Sequence, residues 1–302
     1  MEVTTMFHNR VVVGFDGSAP AEGATRWAAR EAQSRGLGLT VIHATVPPMS
    51  SSGAWGPGAP ISLDALDEIR ESAQTSLDAF ASTLPASDIQ TLVQVGSPTG
   101  ILLSASETAA LIVVGSRGHG GFKELLLGSV SQQLVTHADC PVVVIREERA
   151  VDATAVVVGV DGSAASHAAV DFAFDYASRH RLTVLAVHAW DVPSFDLIVM
   201  PNTPVPIEIG DIANTEVRLA AELLAGYEAS YPDVALETRV IRTTPANAIL
   251  SVEPEAAIIV MGTRGHGSVI GSIIGSVSHT VLHRATVPVV VVTEQAHDDD
   301  AA

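Results

Sequence analysis

Short β-branched and apolar runs alternate with longer stretches of helical spacing along this chain. Residues 10–15 predict a first strand, and residues 19–35 follow with Trp27, Ala28 and Ala32 at helical intervals. Residues 37–44 predict a second strand, and 63–84 a helix carrying Leu66, Ile69, Ala73, Leu77 and Phe80. Residues 89–95 predict a third strand, after which Pro98 stands where a first helical residue tolerates proline, with Ser97 as its N-cap. Residues 110–114 predict a fourth strand, 129–137 a helix and 142–145 a last strand. Runs such as Leu111-Ile-Val-Val114 are apolar on both faces, as strands buried between helices must be. This alternation predicts a parallel sheet with right-handed crossovers.

The pattern then repeats. Val11-Val-Val-Gly-Phe-Asp-Gly-Ser18 returns as Val156-Val-Val-Gly-Val-Asp-Gly-Ser163, an offset of 145. Gly115-Ser-Arg-Gly-His-Gly120 returns as Gly262-Thr-Arg-Gly-His-Gly267, an offset of 147. Gly128-Ser-Val-Ser131 returns as Gly275-Ser-Val-Ser278, and Pro141-Val-Val-Val144 as Pro288-Val-Val-Val291. A period this long means two whole domains rather than a solenoid, with the boundary in the polar stretch 147–154. The expected organisation is residues 1–150 and 151–302, each a doubly wound, five-stranded parallel-sheet α/β domain.

In such open sheets, ligands bind outside the carboxyl ends of the strands near the topological switch point. Asp16 and Asp161 follow the first strand of each half, and the glycine-rich segments follow the fourth. Gly128-Ser129 and Gly275-Ser276 then open the last helix, where free backbone N–H groups and the helix dipole favour an anion. The spacing Gly115-x2-Gly118-x9-Gly128-Ser129 recurs as Gly262-x2-Gly265-x9-Gly275-Ser276. Glycines let backbone approach phosphate oxygens closely.

These blocks resemble the ATP-binding signature of universal stress proteins. The VGFDGS and VGVDGS starts, the His43-Ala44 and His188-Ala189 strand ends and the closing DCPVVVI and TVPVVVV strands match as well. The resemblance covers nearly the whole chain, as a tandem member of the type abundant in actinobacteria. It implies a Rossmann-like fold of the adenine nucleotide alpha hydrolase kind, and one ATP per half, with or without Mg2+. Asp16 or Asp161 would lie by the ribose or adenine next to backbone at Gly14 or Gly159, and backbone at Ala44 or Ala189 would meet the adenine edge. Gly115, Ser116, Arg117, Gly118, His119, Gly120 and Gly121, with Gly128, Ser129 and Val130, would hold ribose and phosphates in the first half. Gly262, Thr263, Arg264, Gly265, His266 and Gly267, with Gly275, Ser276 and Val277, would do so in the second. The implied role is regulation in stress response or growth control, with little or no turnover. The resemblance also implies that strands 142–145 and 289–292 pair across a two-fold-like interface, and that two chains form a homodimer.

Other residues add less. Lys123 has Ile270 as its counterpart, which predicts unequal phosphate affinity in the two halves. His119 and His266 lack ligand-spaced partners, and His43 and His188 are expected to shape the strand end. Gly96-Ser-Pro98 becomes Thr243-Thr-Pro245, which predicts a different handover from third strand to helix. The segments 47–60 and 191–214 follow strand ends and are expected to lie over the pockets as lids.

Composition narrows the function classes. Apolar residues make up 47% and charged residues 17%, a well-buried globular balance. Asp and Glu outnumber Lys and Arg by 34 to 16, giving a net charge of −18 that argues against a nucleic-acid partner. Cys140 is the single cysteine, so no disulfide framework or cysteine zinc site exists, and a buried structural role is expected for it. No stretch approaches the length of a membrane span, and a cytoplasmic protein is expected. No Gly-x4-Gly-Lys-Ser/Thr loop and no paired carboxylates stand near the glycine segments. A nucleotide-binding regulator is therefore the leading expectation. A slow ATPase or nucleotide-transferring enzyme of related fold, and a non-binding interaction scaffold, remain the alternatives.

Overall fold

The computed structural model describes residues 6–45, 63–118, 127–146, 153–190, 209–263 and 274–293. The chain divides into two compact units, Met1–Glu148 and Arg149–Ala302.

The first unit runs β1 (Val11–Gly14), α1 (Ala19–Arg35), β2 (Leu39–Thr45), α2 (Leu63–Ala81), β3 (Ile89–Val95), α3 (Pro98–Ser106), β4 (Leu111–Gly115), α4 (Ser129–His137) and β5 (Val142–Ile145). Its strands lie in the order β3-β2-β1-β4-β5, and every pairing is parallel. The chain winds outward from β1 through β2 to β3, then crosses back to β4. The switch point therefore lies between the carboxyl ends of β1 and β4. Val11, Val12 and Val13 are fully buried at the sheet centre, each contributing roughly 1.5–3 kcal/mol by leaving water.

The second unit repeats this with β6 (Ala155–Gly159), α5 (Ala164–His180), β7 (Thr183–Trp190), α6 (Ile209–Leu223), the short α7 (Tyr227–Ser230), β8 (Leu236–Arg242), α8 (Pro245–Ser251), β9 (Ala256–Gly262), α9 (Ser276–Arg284) and β10 (Val289–Val292). Its order, β10-β9-β6-β7-β8, is that of the first unit with all pairs again parallel. The predicted doubly wound α/β fold, with five parallel strands in each half, is the observed one.

Local chemistry sets the element ends. Ser18 and Ser163 cap α1 and α5, their hydroxyl oxygens accepting the N–H of Ala21 at 3.3 Å and of Ser166 at 3.2 Å. Gly36 closes α1 in the left-handed region at φ 65°, whereas Arg181 must adopt φ 56° at the same place in α5. Alanines at 21, 24, 28, 29 and 32 form the buried face of α1 and bring its backbone close to the sheet.

Several boundaries differ from expectation. Helix α2 ends at Ala81 rather than 84, because Thr83 and Leu84 turn back onto the carbonyls of Phe80 and Ala81. Ser97 does stand at the N-cap of α3, but its side chain makes no cap hydrogen bond. Helix α6 begins at Ile209, inside the segment read as a lid to 214. The rest of that segment and residues 47–60 lie outside the described residues. The handover after the third strand differs between the halves. Gly96 adopts φ 152°, whereas Thr243 donates its N–H to the carbonyl of Ile241 at 3.1 Å.

Candidate functional site

At the end of β1 the chain turns sharply. The Phe15 N–H donates to the Ile42 carbonyl at 2.8 Å, and Gly17 follows at φ 81°. Asp16 Oδ1 accepts the Ser18 N–H at 3.0 Å, closing a local turn just before the α1 cap. Its other oxygen, Oδ2, lies against Gly118. A Cβ there would stand 2.2 Å from it, so the loop after β4 carries glycine where the carboxylate arrives. Asp16 and Gly118 are both solvent-exposed on this rim.

The loop after β4 is pinned at both ends. The Ser116 N–H donates to the Ile145 carbonyl at 2.7 Å, and the Ser116 carbonyl accepts the Gly128 N–H at 2.7 Å. The hydroxyl of Ser131, in the first turn of α4, donates to the Gly115 carbonyl at 2.7 Å. Gly128 is the N-cap of α4 and supplies no side chain to its N–H groups. The first intrahelical bond is Gln132 N–H to the Gly128 carbonyl at 3.0 Å, so the N–H groups of Ser129 and Val130 precede the helical ladder. An anion would find there both donors and the positive end of the helix dipole.

The second unit repeats this geometry. Asp161 Oδ1 accepts the Ser163 N–H at 3.0 Å and the Ser163 hydroxyl at 2.7 Å. The Thr263 N–H donates to the Val292 carbonyl at 2.9 Å, and the Thr263 carbonyl accepts the Gly275 N–H at 2.9 Å. Ser278 donates to the Gly262 carbonyl at 2.8 Å, and Gly275 caps α9 without a side-chain bond, leaving Ser276 and Val277 at its start. Gly115 and Gly262 have a packing cause in addition. A Cβ on either would stand 2.9 Å from the Pro20 carbonyl carbon or 2.7 Å from the Ala165 carbonyl oxygen, so α1 and α5 pass directly over these strand ends.

The third side of each site is the end of the second strand. Gly14 pairs with Ile42, and Gly159 with Val187, as the last partners in the ladder. Alternation along β2 and β7 then turns the backbone groups of Ala44 and Ala189 to the same side, one step past those pairs, above the switch point. His43 and His188 fix this corner, their Nδ1 atoms lying 2.8 Å from the carbonyls of Phe15 and Val160. The two corners are not alike. Phe15 stacks on Phe80 at 5.0 Å in the first half, whereas the second half has buried Val160 in that place. His188 also places Nε2 2.8 Å from Oε2 of Glu216 on α6.

Asp16, Gly118, Ala44 and the start of α4 thus converge at one switch point, and Arg117 lies in the same loop. In the second unit Asp161 follows β6, Ala189 lies near the end of β7, and Thr263 and the start of α9 follow β9, with β7 and β9 the two strands that flank β6. His119, Gly120, Gly121, Arg264, Gly265, His266 and Gly267, with Lys123 and Ile270, lie outside the described residues. Sequence reasoning gave no role to Ser131 and Ser278, although both end a repeated block, and it missed Glu216. Among the described residues no three His, Cys, Asp or Glu side chains gather to hold a metal ion. Cys140 lies away from this rim at the start of β5, where burial pushes its thiol up to about 12.

Comparison with known proteins assigns the fold to a family. The model of the universal stress protein family matches residues 8–146 and again 153–293. The chain belongs to this family. It is 37% identical over 310 residues to universal stress protein Rv2623 of Mycobacterium tuberculosis, covering 94% of this chain and 96% of that one. It is 35% identical over 301 residues to universal stress protein Mb2028c of Mycobacterium bovis, covering 94% and 97%. A solved universal stress protein from Archaeoglobus fulgidus shares the fold, with a TM-score of 0.66 and 24% identity over 95% of this chain and 97% of that one. No described helix of this universal stress protein is long and apolar enough to cross a membrane.

Proposed function

We propose that each half of this protein binds one ATP at its switch point, and that nucleotide occupancy regulates a stress or growth response with little or no turnover. The observation that carries the reading is the meeting of Asp16 Oδ2 with Gly118, beside a helix start that has no side-chain cap. A carboxylate accepts hydroxyl donors and repels phosphates, while bare helix N–H groups favour phosphates, so the two ends of a nucleotide are told apart. Ribose hydroxyls fit at Asp16 or Asp161, phosphates at Ser129-Val130 or Ser276-Val277, and the base edge at Ala44 or Ala189. Magnesium, where it accompanies the nucleotide, would be held chiefly by the phosphates and water.

A binding role is favoured over catalysis because each site carboxylate is already engaged by its own turn. Asp16 accepts the Ser18 N–H, and Asp161 accepts both the N–H and hydroxyl of Ser163. That arrangement orients an acceptor. The cytoplasm, where ATP is abundant, is the compartment this reading requires.

Calorimetric titration of nucleotide-stripped protein with ATP tests the proposal, with two binding events expected. Absence of binding would overturn it, and sustained phosphate release over many turnovers would replace it with the ATPase reading. Asp16→Asn should weaken the first site and spare the second.

A further inference from the structure

Strand β3 is the outer strand of the first sheet, and among the described residues it pairs only with β2. Its hydrogen-bonding groups divide cleanly. The Asp88 carbonyl accepts the Leu39 N–H, and the Gly96 N–H donates to the Thr45 carbonyl. Even-numbered residues of β3 therefore face β2, and the backbone N–H and C=O groups of Ile89, Thr91, Val93 and Val95 point outward. An edge of this kind is a template for another strand, and proteins ordinarily blunt it with charge, proline or a bulge. The strand reads Ile89-Gln-Thr-Leu-Val-Gln-Val95, with none of these, and Val95 is 45% exposed.

The equivalent strand of the second half is built otherwise. β8 reads Leu236-Glu-Thr-Arg-Val-Ile-Arg242, with Arg239 at its centre paired to Glu255 at 2.6 Å. An antiparallel copy of β8 about its midpoint would set Arg239 directly against the partner's Arg239, an unfavourable like-charge pair.

The same operation on β3 produces complementary pairs throughout. About a two-fold axis at Leu92, Thr91 meets the partner's Val93 and Ile89 meets the partner's Val95. All four belong to the outward-pointing set, so they form the hydrogen-bonded pairs. Leu92 then faces the partner's Leu92, and Gln90 faces the partner's Gln94, in the closer non-hydrogen-bonded positions. Leucine meets leucine, β-branched meets β-branched and amide meets amide, with no like charges opposed within the strand. We propose that β3 is the docking edge for a second copy of this chain, joined antiparallel about Leu92. The interface is isologous and closed, so it makes dimers rather than fibres. It does not depend on the nucleotide reading.

The proposal is tested on the full chain by cysteine cross-linking and sedimentation. Leu92→Cys puts two thiols at the axis, with Cα atoms about 4.5 Å apart and within the range a disulfide spans. Mild oxidation should yield a covalent dimer. Gln90→Cys, displaced from its own copy along the strand, should not. Equal cross-linking of the two variants, or of neither, would overturn the register. Independently, Gln90→Glu/Gln94→Glu sets like charges opposite each other and should weaken dimerisation by roughly tenfold. Gln90→Lys/Gln94→Glu sets opposite charges and should retain the dimer. A monomeric wild type, or equal dimerisation of both charge variants, would sink the proposal.

Discussion

Oδ2 of Asp16 lies 2.2 Å from where a Cβ on Gly118 would stand, so the carboxylate after the first strand and the glycine after the fourth share one space. Gly118→Ala must push the carboxylate aside, which its exposed rotamer permits at small cost. Folding stability should change by less than about 1 kcal/mol. ATP affinity at the proposed first site should nevertheless fall by about tenfold, because the carboxylate proposed to accept the ribose hydroxyls has moved. Calorimetry with the second site as internal reference reads both effects.

The Ser131 hydroxyl bond to the Gly115 carbonyl, and its Ser278 copy to Gly262, tie the start of α4 and α9 to the strand they follow. Both serines are buried. Ser131→Ala leaves that carbonyl without this donor and should cost about 1–3 kcal/mol in chemical denaturation. Ser129→Ala, which alters an exposed hydroxyl two residues earlier, should leave stability within about 0.5 kcal/mol.

Much of this was legible because the informative residues are contiguous and occur twice. Val11, Val12 and Val13 and their copies Val156, Val157 and Val158 are buried, so their apolar runs announce central strands, and the glycine spacing announces the loop that closes on Gly128. Contacts between distant residues left no such trace. His188 and Glu216 are 28 positions apart, and Glu216 lies on a helix whose first turn has no capping signature among prolines and apolar residues. The close approach of Pro20 to Gly115 likewise depends on how α1 lies over β4, which only three dimensions reveal. The contrast between the β3 and β8 edges was in the letters all along, but the outward-facing set needs the observed ladder.

His188 is 6% exposed and both its ring nitrogens face oxygen acceptors, the Val160 carbonyl and the Glu216 carboxylate. This joins the end of β7 to α6, whereas no described acid side chain bonds His43 in the first half. Glu216→Ala should lower stability by about 1–2 kcal/mol after allowing for the partial exposure of the carboxylate. Glu216→Gln, whose amide can meet Nε2 as either donor or acceptor, should cost less. Hydrogen exchange should speed up in β7 and stay unchanged in β2.

Cys140 gives the stability a defined alkaline limb. Burial pushes its thiol from 9.0 up to about 12, so folding holds a proton that the unfolded chain releases earlier. Below pH 9 the thiol is protonated in both states and its contribution is intact. As pH rises from 9 towards 12, the unfolded state ionises first and stability falls, by up to about 1.4 kcal/mol per pH unit. Val287 holds the corresponding place in the second half, where it too is buried, which makes Cys140→Val a substitution of a residue type the fold already accepts there. That variant should match the wild type at pH 7 to within about 1 kcal/mol. Denaturant midpoints measured between pH 8 and about 11 should then decline less steeply for Cys140→Val than for the wild type. Parallel pH profiles for the two proteins would mean that the thiol titrates alike in folded and unfolded chains.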